Sequence, residues 1–125
     1  MGYKEVYDSW KNDPEGFWAK AAEDVFWYER PTQILDDSNP PFYRWYVDGV
    51  TNTCYNALDW HVENGRGDQL ALVYDSPVTD TVRKFTYAEM RDEVAQLAGA
   101  IRALGVNPGD RVIIYMPMVP EAAMA

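Results

Sequence analysis

His61 is the only histidine in the 125-residue chain, and Asp59 and Glu63 stand two positions away on either side. A histidine with two carboxylates is a donor set for a divalent metal, and a histidine beside an acid is the base half of nucleophilic catalysis. The spacing argues against both. On a helix, alternate positions point away from each other, so Asp-x-His-x-Glu closes poorly on one ion. Cys54 is the only cysteine, which excludes an intramolecular disulfide and a secreted disulfide scaffold. Its expected role is that of a buried structural thiol rather than a nucleophile. No local arrangement supplies the oriented base that a nucleophile needs.

Phosphate chemistry fares no better. Gly65-Arg66-Gly67-Asp68 has two glycines but lacks the third glycine of a dinucleotide fingerprint and the lysine of a phosphate loop. Its Arg66-Gly67-Asp68 tripeptide has the form of an adhesion motif and reads here as a connection from helix to strand. Asp36 and Asp37 are adjacent, yet neighbours in sequence do not show that two carboxylates converge on a substrate. Residue chemistry therefore assigns no catalytic, cofactor-binding or metal-binding residue between positions 1 and 125.

The elements that would position these residues fall into two halves. Asp13-Pro14-Glu15 is a helix start, with aspartate to cap free amides and proline at the first helical position. Phe17, Ala21, Val25 and Tyr28 continue at helical spacing until Pro31 stops the helix. Positions 36–41 read as loop, Arg44 to Val47 as a short extended piece and Asp48-Gly49 as a turn. Asn52 or Thr53 can cap a helix carrying Cys54, Leu58, His61 and Val62, which Gly65 ends. Gln69 to Tyr74 and Arg83 to Phe85 predict a β-hairpin. Thr86-x-x-Glu89 is a capping box. Tyr87, Met90, Val94, Leu97, Ile101 and Leu104 then form one apolar helical stripe, ended by Gly105. Val112 to Met116 is an unbroken apolar run, as in a strand covered on both faces, and Pro117 and Pro120 lead to a helix from Glu121 to Ala125.

Strand, helix, strand, helix in that order predicts an α/β fold: a helical, aromatic-rich N-terminal half, a β-hairpin and the first βα elements of a parallel sheet. The composition changes near Gly65, so the expected division is 1–65 and 66–125. The last helix barely completes a turn, and the buried strand has few neighbours. The expectation is part of a larger domain, truncated at Ala125.

Composition narrows the partners. Twenty acidic and eleven basic residues give a net charge of −9, which repels phosphate backbones and anionic membranes and argues against both as partners. No segment approaches the roughly 20 apolar residues of a membrane span. The first residues lack the apolar run of a signal peptide, and a cytoplasmic protein is the expectation. The apolar fraction of 47% is ordinary for a globular chain. All five tryptophans lie between Trp10 and Trp60, and Phe42, Tyr43, Trp45, Tyr46 and Tyr55 crowd an irregular stretch. Two uses fit such a stretch: a patch that binds a ligand or partner, or a clasp seated on a larger body.

Three stretches carry a family resemblance. Asp13-Pro14-Glu15-Gly16-Phe17-Trp18 resembles the opening of the AMP-forming acyl-CoA synthetases, in the acetyl- and propionyl-CoA synthetase branch. RWYVDGVTNTCYNALDWH, from Arg44 to His61, is similar to that family's aromatic pair, glycine turn and N-x-x-Y-N-x-L-D-x-H pattern. GVNPGDRVIIYMPMVPEA, from Gly105 to Ala122, resembles its G-V-x-x-G-D-R-V-x-I-Y-M-P-M-x-P-E-A block, the most specific of the three. Trp60 stands where the family commonly has arginine; Asp48 and Val50 stand where it often has glycine and a basic or polar residue. Ser38-Asn39-Pro40-Pro41-Phe42 leans toward the propionate branch.

The resemblance implies a ligase that joins a short carboxylic acid to coenzyme A. The carboxylate attacks the α-phosphorus of ATP, giving acyl-AMP and pyrophosphate, with magnesium and basic groups offsetting phosphate charge. The coenzyme A thiol then displaces AMP. The family's phosphate loop, ribose-binding aspartate and mobile-domain lysine have no matching positions in 1–125, so the implied role of this segment is structural. Its implied partner is the remainder of its own large domain, on which Trp45, Tyr46 and their neighbours would sit as anchors.

Overall fold

Helix α1, Tyr3–Asn12, opens this computed structural model, which describes residues 2–125. The Glu5 carboxylate accepts the Gly2 N–H at 2.9 Å, satisfying an amide ahead of the first turn. α1 is not among the expected elements, although Tyr3, Tyr7 and Trp10 recur at helical spacing and their rings follow one another along it. Helix α2, Pro14–Ala21, starts as expected: the Asp13 carboxylate accepts the Gly16 N–H at 2.9 Å and Pro14 takes the first helical position.

The expected continuation to Tyr28 is corrected by the structure. α2 passes into one 3₁₀ turn at Ala22–Asp24, and Val25 is extended. Tertiary hydrogen bonds take the groups a longer helix would need. Phe26 N–H donates to Asn56 Oδ1 at 2.8 Å and Tyr28 N–H to the Val50 carbonyl at 2.8 Å. The Trp27 indole N–H occupies the Ala22 carbonyl at 2.9 Å. Two short strands follow, β1 at Leu35–Asp36 and β2 at Arg44–Trp45, paired antiparallel with Leu35 opposite Trp45. Asp36 thus belongs to a strand rather than to the expected loop. The peptide bond between Pro40 and Pro41 is cis. Tyr46 leaves the strand at φ +53°, and the Gly49 N–H closes the turn on the Tyr46 carbonyl at 3.0 Å.

Asn52 caps the next helical segment, its Oδ1 accepting the Tyr55 N–H at 2.9 Å. Much of that segment is π-helical, at Tyr55–Asp59 and Val62–Arg66, and Gly65 turns out of it at φ +79°. The chain divides into two compact units, one ending at Asn56 and one beginning at Ala57. The division falls inside this segment, earlier than the change of composition at Gly65.

In the second unit, β3 (Leu70–Ser76) and β4 (Thr81–Thr86) form the expected hairpin, with Leu72 opposite Phe85 and a register irregularity between Leu70 and Leu72. Helix α3, Tyr87–Ala103, begins with the full capping box: Thr86 Oγ1 accepts the Glu89 N–H at 3.2 Å, and Glu89 Oε2 accepts the Thr86 N–H at 2.8 Å. Leu58, Phe85 and Met90 make the core, with Ala71, Leu72, Tyr87, Val94 and Met124 packed around them. The lower part of the expected stripe is less well covered, and Leu104 is exposed.

Both sheets are two-stranded and antiparallel. The expected parallel layer is not found among the described residues, and Val112 to Met116 is not a strand. A strand exists only through ladder hydrogen bonds to a neighbour, and β3 and β4 pair with each other. Instead of being covered on both faces, Ile113 is 89% and Tyr115 99% exposed. Helix α4, Pro120–Met124, follows with proline at its first position.

Candidate functional site

His61 points not toward a metal but toward an arginine. Its Nδ1 lies 3.0 Å from Arg66 Nη1. The guanidinium is always a donor, so Nδ1 accepts and the ring proton resides on Nε2. Arg66 is fixed on its other edge, where Nε–H donates to Gln69 Oε1 at 2.7 Å, and it lies over the Tyr87 ring at 5.4 Å. The His61 and Tyr87 ring centroids are 4.7 Å apart. This half-buried cluster joins the end of the π-helical segment to the start of α3. Its geometry is that of a structural joint, with the imidazole held between the Arg66 guanidinium and the Tyr87 ring.

The other candidates disperse. Cys54 is exposed, against the expected buried thiol. Among the described residues no group of three or more His, Cys, Asp or Glu side chains could hold a metal ion. Gly65 to Asp68 forms the helix-to-strand connection: the Ala88 N–H donates to the Gly67 carbonyl at 3.1 Å and the Tyr87 N–H to the Gln69 carbonyl at 3.0 Å. An open groove of about 900 Å³ borders α1 and α2, where Lys20 is set among Glu5, Asp13, Glu23 and Asp24. That sign of charge suits no phosphate. The side chains that line this groove thus do not fit ATP.

In the first unit the polar side chains are anchors. The Asp48 carboxylate accepts the Thr32 N–H at 2.9 Å, the Thr32 hydroxyl at 2.5 Å and the Gln33 N–H at 3.2 Å. The Thr32 hydroxyl, followed by the Thr32 and Gln33 amides, brings its pKa down to about 2. Asp36 is likewise held below its ordinary value, by hydrogen bonding from Ser38. Asn56 uses its whole carboxamide: Oδ1 on the Phe26 N–H, and Nδ2 on the Phe26 carbonyl, Thr51 Oγ1 and the Asn52 carbonyl, each at 3.0 Å.

Around these anchors the aromatic rings pack on one another. Trp27 lies 5.5 Å from Tyr46 and Trp18 6.2 Å from Trp45, while Phe26, Tyr28 and Tyr55 form a three-ring cluster. The Tyr46 hydroxyl donates to the Trp18 carbonyl at 2.8 Å. Phe42, Tyr43 and Trp45 remain exposed. Asn56 was visible in the sequence only as a letter of the N-x-x-Y-N pattern. Arg66 gave no signal beyond its tripeptide, because the Tyr87 ring it lies over belongs to α3, 21 residues along the chain.

With that geometry in place, the comparisons with known proteins are direct. Residues 3–57 match the family model described as acetyl-coenzyme A synthetase N-terminus, and residues 58–125 match the model described as AMP-binding enzyme. The chain belongs to the AMP-binding enzyme family. It is 49% identical, over 96% of its length, to the human protein called acyl-CoA synthetase short-chain family member 3, mitochondrial. It is 49% identical, over 97% of its length, to the acetyl-coenzyme A synthetase of Streptomyces coelicolor. The chain spans 18% of the length of each of these two relatives. The solved acetoacetyl-CoA synthetase from Streptomyces lividans matches 99% of the chain, and 19% of its own, at a TM-score of 0.85 and 33% identity. The resemblance read from the three sequence stretches, to the N-terminal part of a short-chain acyl-CoA synthetase, therefore holds. In this AMP-binding enzyme segment, the capping box and the Asn56 and Asp48 anchors are features of architecture.

Proposed function

We propose that this chain works as the N-terminal part of an acid–CoA ligase that activates a short carboxylate with ATP as acyl-AMP and then transfers the acyl group to coenzyme A. The observation that carries this reading is that two family models, an acetyl-coenzyme A synthetase N-terminus and an AMP-binding enzyme, follow one another along the chain and meet between residues 57 and 58. In this reading residues 1–65 are the aromatic wrap and 66–125 begin the adenylation domain. The role of the segment is to support a site whose ATP, magnesium and coenzyme A contacts lie elsewhere in the enzyme, and the segment alone is inactive.

The exposed run from Val112 to Met118 supports this assignment, since apolar side chains of that density call for cover. Its partner is the remainder of the same large domain. Propionate is the favoured acid and acetate the next, on the strength of the Ser38 to Phe42 stretch. The enzyme works in the cytoplasm, with neither nucleic acid nor membrane as a partner. No helix among the described residues is long and apolar enough to cross a membrane.

The test is carboxylate-dependent exchange of pyrophosphate into ATP, measured on the purified long enzyme with propionate and acetate in parallel. Exchange with propionate at the higher kcat/KM is the expected result. A higher value with acetate would reverse the order of substrates, and no exchange with either acid would overturn the ligase assignment.

A further inference from the structure

We draw no further inference here: the strongest candidate, the exposed apolar run from Val112 to Met118 leading into α4, belongs to the surface already assigned to the rest of the large domain, and nothing in the structure shows any other occupant that covers it.

Discussion

The carboxamide of Asn56 holds the backbone of Phe26 at both polar ends: Oδ1 accepts its N–H at 2.8 Å, and Nδ2 donates to its carbonyl at 3.0 Å. One side chain, 30 residues further along the chain, thus substitutes for the two backbone bonds that Phe26 would make in a helix or a sheet. This is why the segment after α2 can leave helical geometry without stranding its polar groups.

Replacing Asn56 with aspartate isolates the donor half of that grip. The Oδ1 role survives, while three bonds from Nδ2 are lost and a carboxylate faces the Phe26 and Asn52 carbonyls. Loss of about 1 kcal/mol is expected from the missing donor, since the Phe26 carbonyl keeps the Thr51 hydroxyl and the Asn52 carbonyl keeps the Asn56 N–H. Urea unfolding followed by tryptophan fluorescence measures it. An unchanged midpoint would remove Asn56 from the list of anchors.

Asp48 makes the first unit acid-sensitive in a defined window. Its folded pKa, about 2, lies below the ordinary value of 3.8. A carboxylate depressed on folding contributes stability that is present in full above the unfolded value. That contribution declines as the pH falls from about 4 and is gone below about 2. The amide resonances of Thr32 and Gln33 should therefore shift together on acidification through this range. In Asp48→Asn the acid-dependent part of the shift should vanish, since an amide has no such titration.

Gly49 is required by a neighbour rather than by its dihedral angles. A Cβ built there would lie 2.7 Å from the Trp27 ring and 3.2 Å from Pro31 Cβ. Gly49→Ala should cost about 1–3 kcal/mol through overpacking. It should also change the near-ultraviolet circular dichroism of the Trp27–Tyr46 pair. Gly99, where a Cβ meets nothing within 4 Å, is the control position, and Gly99→Ala in α3 should be neutral or stabilising.

Thr86→Ala removes the side-chain half of the α3 capping box. About 1 kcal/mol is the expected loss, since the Glu89 N–H returns to solvent while Glu89 keeps its bond to the Thr86 N–H. Denaturant melts followed by far-ultraviolet circular dichroism should record a lowered midpoint with an unchanged slope.

The 125-residue chain by itself should associate and bind a hydrophobic dye through its uncovered run. Ile113→Lys with Tyr115→Lys should reduce both, as both side chains face solvent and their replacement disturbs no packing. Sedimentation velocity across a concentration series is the direct readout. A monodisperse, dye-silent wild-type chain would overturn the argument that this run needs cover.

The sequence by itself determined what depends on near neighbours. The Asp13-Pro14 start, the Asn52 cap, the hairpin, the Thr86-x-x-Glu89 box and the Gly65 stop are each written within a few residues, because caps and turns are satisfied by adjacent atoms. Family membership was legible for a related reason, as it rests on residue order. The tertiary structure decided what depends on distant partners. α2 stops early because Asn56 and Val50 claim the amides of Phe26 and Tyr28. His61 is held between Arg66 of its own helical segment and Tyr87, whose ring reaches it from α3. Val112 to Met116 has the composition of a buried strand but not its state, since a strand forms only where another backbone lies alongside to receive its hydrogen bonds.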